Sequence, residues 1–338
     1  MNSRDKNQQN EELKSGLNDG LVFAYNLDGS GGGTAVDLQG IRQWQADKGP
    51  LWIHLDYTFD QAKEWLQTES NLDRLSCDIL MEDDTRPRFI ANKDGFLLIL
   101  RAINCNPGAD PEDMVALRMS FEENRIITMR QRKVMAIDDI YNAIEAGNGP
   151  KSIIDFLIMA IDRIADRVAD VNNDIDDQLG EIEDTIVTGE SSELRTQLSA
   201  LRRQIIILRR YLAPQRDVLL RLRDGSFDWL SDNVKLRLRE LSERMIRFVE
   251  DLDSARDRSA IAQEELNSRL SDQINRTIYI LSIITVVFLP LGFITGLLGI
   301  NVGGIPGGEY KWAFLIVTCI LVAIALVLLI VFRRIKWL

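Results

Sequence analysis

The chain of 338 residues is long enough for two or three domains with a sizeable core. Its charge is divided unevenly: residues 1–275 hold 35 basic and 50 acidic side chains, a net −15, whereas the remainder holds five basic and one acidic, a net +4. So acidic a soluble part excludes nucleic acid as its partner, because phosphate binding needs a basic surface, and three dispersed cysteines, Cys77, Cys105 and Cys319, exclude a disulfide framework or a paired-cysteine zinc site.

Residues 1–16, MNSRDKNQQNEELKSG, are polar and lack the apolar core of a secretory signal, so they read as a disordered leader to a cytoplasmic soluble part. Over 17–150 short β-rich runs alternate with helical patterns. The runs are LVFAY, LWIHLD, RFIANKDGFLLILRAI and VALRMSFEENRIITMR, the last two broken by turn signals at Asn92–Gly95 and Glu122–Arg125. The expected fold is α+β, an at least partly antiparallel sheet with helices. His54 sits in an apolar strand near Asp56, where a satisfied structural histidine is expected rather than a ligand, and Cys77 and Cys105 read as buried apolar residues.

Residues 151–275 change to long helices. Apolar positions at Ile154, Ile158, Ile161, Ile164, Val168, Val171 and Ile175 keep helical spacing, a break falls at Gly189–Ser191, and a second helix runs from Ser192 to Arg223. A third, starting near Phe227, has no stop before the apolar region, so it reads as a stalk continuous with it. The first helix is rich in Asp and Glu and the second in Arg. An antiparallel hairpin pairing these unlike faces, or plain solvated surfaces, explains the pattern. The functional alternative is that Asp176, Asp177 and Glu181 gather divalent cations, for which oxygen ligands are suited.

Thr277–Gly308 and Trp312–Phe332 carry no charge, and each is long enough to cross a bilayer, which takes roughly 20 apolar residues. Spans are therefore expected over 276–299 and 312–332, joined by a loop over 300–311 and followed by a basic tail, 333–338. Arginines before the first span and in the tail place both termini in the cytoplasm. The loop begins at membrane depth, where irregular backbone must be buried in protein or line water. Two helices cannot enclose such a space, so a ring of identical chains around a central pore is expected. Ser282, Thr285 and Thr295 are candidate pore-lining hydroxyls, and Glu309 is a candidate cation-concentrating residue at the entrance.

GINVGGIPGG, after a proline-containing apolar helix and before a second apolar helix with a basic end, resembles the two-transmembrane GxN (CorA) superfamily of metal-ion transporters, and its continuation resembles the ZntB zinc-transporter branch. The resemblance implies an inner-membrane homopentamer with a cytoplasmic funnel. Its pore would be lined by the first span, with Gly299, Ile300 and Asn301 forming the outer selectivity ring. It implies transport of Zn2+, with Co2+, Ni2+, Cd2+ or Mg2+ as further cargo, coupled to a proton gradient, with no cofactor and no enzymatic reaction. The alternative is a magnesium or cobalt channel gated by cytoplasmic metal, against which Ile300 weighs, because the magnesium branch carries methionine there. A membrane-tethered scaffold is the alternative of another class. No nitrogen or sulfur ligand lies in the pore region, so no inner-shell zinc site is expected there.

Overall fold

The computed structural model describes residues 20–83, 85–92, 95–188, 193–225, 231–300 and 310–334. The chain divides into two compact units, Met1–Gln263 and Glu264–Leu338.

The first unit is built on a seven-stranded sheet of order β2-β1-β3-β7-β6-β5-β4. The strands are β1 (Leu21–Leu27), β2 (Gly33–Ala35), β3 (Leu51–Asp56), β4 (Arg88–Ala91), β5 (Gly95–Ala102), β6 (Val115–Glu122) and β7 (Arg125–Arg130). All neighbours are antiparallel except β3 and β7 at the centre, which run parallel from Leu51 opposite Arg125 to Asp56 opposite Arg130. Both expected hairpin turns join antiparallel strands, and Gly95 explains one of them. A Cβ there would fall 1.8 Å from the Phe121 carbonyl oxygen, so the strand approaches β6 this closely only with glycine.

β3 is buried on both faces, which is why it reads as an unbroken apolar run. Leu51, Ile53 and Leu55 pack with Ala62, Trp65 and Leu66 of α2 (Asp60–Thr68) and Cys77 and Leu80 of α3 (Arg74–Met81). The alternate residues Trp52 and His54 meet Phe23, and Trp52 also meets Phe156 at 4.8 Å between ring centroids. A short α1 (Leu38–Arg42), capped by Asp37, adds Ile41 to the cluster of α2 and α3, whereas Tyr141 of α4 (Met135–Glu145) packs on Phe23 at the other face.

Three long helices follow: α5 (Ile153–Thr188), α6 (Leu194–Asp224) and α7 (Asp232–Leu298). The stalk is one 67-residue helix that continues into the apolar segment, as its uninterrupted pattern predicts. The hairpin alternative for the charges is not what forms, whereas many of them are solvated, the other expectation. The acids of α5 turn to α7 and not to the arginines of α6: Arg244 donates to Asp162 at 2.7 Å and to Asp166 at 2.8 Å, and Arg258 binds Glu183 and Asp176. Arg209 of α6 likewise pairs with Asp253 of α7. The seam between α5 and α6 is apolar instead, built from Ile175, Leu179, Ile182 and Ile186 on one side and Leu194, Leu198, Leu201 and Ile205 on the other. Arg244→Ala removes both contacts at once. With the two carboxylates partly solvated, the expected loss is about 1 kcal/mol, read as a lower denaturant midpoint of the helical region.

Three arginines are buried within the sheet, and Arg125 of β7 is held by the Ser70 carbonyl and the Glu122 carboxylate. Arg118, 1 % exposed, donates to the carbonyls of Glu82 and Asp83 and lies over the Tyr57 ring at 4.6 Å, and burial holds its pKa below the usual arginine value. Arg101 donates to the carbonyls of Thr85 and Met114. Because β4 ends at Arg88 opposite Ile99, the Arg101 amide extends past its strand partner, and the buried side chain of Gln215 on α6 accepts it at 2.6 Å.

The second unit holds the end of α7 and α8 (Ala313–Arg334). By length and composition both helices can cross a membrane, and their apolar windows are not buried by other parts of the chain.

Candidate functional site

α7 carries small and hydroxyl-bearing residues among apolar ones on one side of its apolar end. At about 100° per residue, Ser282, Thr285, Gly292, Thr295, Gly296 and Gly299 fall on one side of the helix. The three hydroxyls are committed. Ser282 donates to the carbonyl of Ile278 and Thr285 to that of Leu281, both at 2.8 Å, while Thr295 reaches the carbonyls of Leu291 at 3.0 Å and Gly292 at 3.1 Å. With its proton spent on the helix, each oxygen offers only lone pairs outward. A face of this kind accepts hydrogen bonds and donates none, which suits the polarised waters around a cation.

Pro290 lies within the helix, where it cannot donate to the carbonyl one turn earlier. No other part of the described chain comes within 4 Å of a Cβ placed at Gly292 or Gly296, so this side is open in the single subunit. The helix stops at Gly299, whose amide is shared between the carbonyls of Thr295 at 2.9 Å and Gly296 at 3.2 Å. A Cβ at Gly299 would sit 3.0 Å from the Thr295 carbonyl, a close approach that glycine avoids. Ile300 follows, half exposed at 53 %. Asn301 and Glu309 lie outside the described residues. Tyr310 and Trp312 are exposed ahead of α8, where interfacial aromatic anchors stand.

The acidic candidates of α5 are not brought together as a metal site among the described residues. Asp176 is engaged by Arg258, while Asp177 and Glu181 point to solvent from α5. Among the described residues no group of three or more His, Cys, Asp or Glu side chains is placed to hold a metal ion.

His54 is fully buried, and its Nδ1 lies 2.8 Å from Thr128 Oγ1. Thr128 Oγ1 also accepts from Trp52 Nε1 at 2.9 Å and can donate to the Ile53 carbonyl at 3.2 Å. All of these bonds are satisfied together if the imidazole carries its proton on Nδ1. Nε2 is then an acceptor with no partner, so the histidine is only half satisfied. Asp56 does not help it, being bonded to Thr58 and 3.6 Å from Arg130. Cys77 is buried as expected, but Cys105 is exposed. β5 ends at Ala102, and the chain after Asn104 turns into a surface loop, which an apolar run read from sequence does not reveal.

This architecture has known counterparts. The divalent cation transporter CmaX of Pseudomonas aeruginosa is 38% identical over 335 residues, covering 97% of this chain and all of the relative. The zinc transport protein ZntB of Yersinia pseudotuberculosis is 37% identical over 317 residues, 94% of this chain and 96% of the relative. Among solved structures, full-length CmaX superposes with a TM-score of 0.82 at 38% identity over 94% of this chain and 98% of that one. The CorA magnesium transporter of Methanocaldococcus jannaschii superposes with a TM-score of 0.77 over the same shares, at 19% identity, which speaks for the fold alone. The family described as CorA-like Mg2+ transporter protein matches residues 47–334, and this chain belongs to that family of transporters.

Proposed function

We propose that this chain moves divalent metal cations across the membrane as a homopentameric ring, with zinc uptake coupled to a proton gradient as its principal activity. The observation that carries this reading is the open face of α7, where glycines and acceptor-only hydroxyls lead to Gly299 at the helix end. A ring would close these faces around water, and the Gly299, Ile300 and Asn301 of each subunit would form its outer constriction. Both termini would lie in the cytoplasm, with the loop outside the inner membrane.

Zinc comes first because relatives named zinc transport protein cover nearly the whole chain. CmaX, named only for divalent cations, is within one percentage point of identity, so the choice of cargo rests on chemistry as well. The charge-free stretch Thr277–Gly308 contains no histidine, cysteine or carboxylate. Cargo would therefore pass hydrated, bonded through its waters to oxygen acceptors, and a tight inner-shell site that slows release is avoided. The same oxygen-only pathway favours a second reading, a magnesium or cobalt channel, because magnesium sheds water reluctantly.

Uptake into dye-loaded proteoliposomes separates these readings. The expected result is zinc flux that increases when protons flow in the same direction. Magnesium flux indifferent to pH would move the protein to the channel class, and no flux of any of zinc, cobalt, nickel or magnesium would leave the hairpin as a mere anchor. Five copies of Glu309 at the entrance would raise the local cation concentration. Glu309→Gln is expected to increase the half-saturating metal concentration about threefold at low salt and to have little effect at 1 M salt, where the Debye length falls to about 3 Å.

A further inference from the structure

α5 and α6 each carry an unpartnered charged stripe. On α5, Asp170, Asp174, Asp177, Glu181 and Asp184 recur at alternating four- and three-residue steps, all exposed. None has an ion-pair partner among the described residues. On α6, Arg195, Arg202, Arg203, Arg210 and Arg221 occupy an arc of about 100°. They too lack an ion-pair partner among the described residues, whereas Arg209, Arg216 and Arg223 are paired. In the middle of the basic arc stands Ile206, an isoleucine half exposed in the single subunit.

The apolar seam between the two helices prevents the stripes from meeting within one chain, since it turns both outward. It also fixes their relative height. Gln178, Glu181 and Thr185 share a groove with Gln204, Leu201 and Gln197, so position 177 lies about level with 205 and position 170 with 212. Each acid of the stripe therefore has an arginine within about one helical turn of its own height, Asp184 with Arg195, Asp177 with Arg203 and Asp170 with Arg210.

We propose that the acidic stripe of α5 docks against the basic stripe of α6 from a second copy of this chain. The proposal rests on the ring of identical subunits given above. Rotation about an axis running along the helices keeps every residue at its height, so the register within one chain becomes the register between neighbours. A head-to-tail contact of two different surfaces is what a closed ring requires, and here the two surfaces carry opposite charge. The contact would neutralise a row of like charges that destabilises α5 alone, and it would cover Ile206.

The test uses the full-length protein in detergent, with exposed Cys105 and Cys319 replaced by serine. Asp177→Cys and Arg203→Cys are introduced singly and together and treated with a short bis-maleimide, and the oligomer is followed by native mass spectrometry. The double variant is expected to give a ladder of cross-linked species up to the full ring. Each single variant alone is expected to stay uncross-linked, and a mixture of the two differently tagged single variants to give cross-tag dimers. Adding Arg202→Glu and Arg210→Glu should weaken the ladder several-fold. An intact ring that yields only monomer-sized products would overturn the docking and leave the ring standing. Cross-linking between Asp177→Cys chains alone would place acidic stripes side by side and would also overturn it. A monomeric unsubstituted protein would remove the ring and the docking together.

Discussion

Asn301→Ala is expected to abolish divalent-metal uptake by proteoliposomes, lowering it more than tenfold while protein abundance in the membrane stays unchanged. The α7 face supplies acceptors only along one side of the helix, and its last described positions, Gly299 and Ile300, contribute no side-chain oxygen of their own. The first polar side chain beyond the helix is the Asn301 amide. Its oxygen can accept from the waters of a hydrated cation, and a hydrogen bond to a charged or strongly polarised partner is worth about 1.5–3 kcal/mol. In the proposed ring, rotational symmetry would remove that bond from every subunit at once, so a loss of more than tenfold, about 1.4 kcal/mol, needs only a fraction of the total.

A competing account gives Asn301 a purely conformational role, because asparagine tolerates the left-handed backbone that commonly follows a helix. Asn301→Gly distinguishes the two, since glycine keeps the conformational freedom and loses the amide. If the amide acts on the cargo, the glycine variant is as inactive as alanine. If flux survives in Asn301→Gly and fails in Asn301→Ala, the residue serves the turn and the ring chemistry must come from backbone carbonyls. Unchanged flux in both variants would count against a selectivity role at this position altogether.

Much of this architecture is legible in the chain because the signals are local. The stalk runs unbroken into the span because from Asp232 onward neither glycine nor proline intervenes until Pro290. The hairpin turns announce themselves through Asn92–Gly95 and Glu122–Arg125. What is not local is hidden. Charge periodicity places Asp162 and Asp166 on a face of α5, but it does not say which helix meets that face, and Arg244 of α7 meets it where the arginine-rich α6 was expected. Arg101 and Arg118 look like ordinary strand residues. Only the pairing of β5 with β6 puts them among the carbonyls of Thr85, Met114, Glu82 and Asp83, where they act as structural donors. The polar side of α7 shows the same split: composition marks its hydroxyls, whereas their commitment to the preceding turn is a property of the folded helix.

Acidification from pH 7 to pH 5 is expected to destabilise the sheet by about 2 kcal/mol through His54 alone. Complete burial, reinforced by nearby Arg130, pushes its pKa down to about 3 from 6.5. The second proton would have to enter at Nε2, which has no acceptor. A base whose folded pKa is depressed binds fewer protons folded than unfolded, so its contribution is full above pH 6.5 and is lost as the pH falls from 6.5 towards 3. Hydrogen exchange at the amides of β3 and β7 measures this, and the slope should shrink in His54→Gln, which cannot titrate, while carboxylate effects remain common to both proteins. An equal slope in the two would mean that the imidazole is already protonated or solvated in the folded state. The same depression bears on transport. A histidine that stays neutral between pH 5 and pH 8 cannot relay protons there, so His54→Gln should leave the response of metal flux to a pH gradient unchanged. With no titratable Asp, Glu, His or Cys in Thr277–Gly308, coupling would then have to act through ordered water along the hydroxyl face or through groups outside the bilayer.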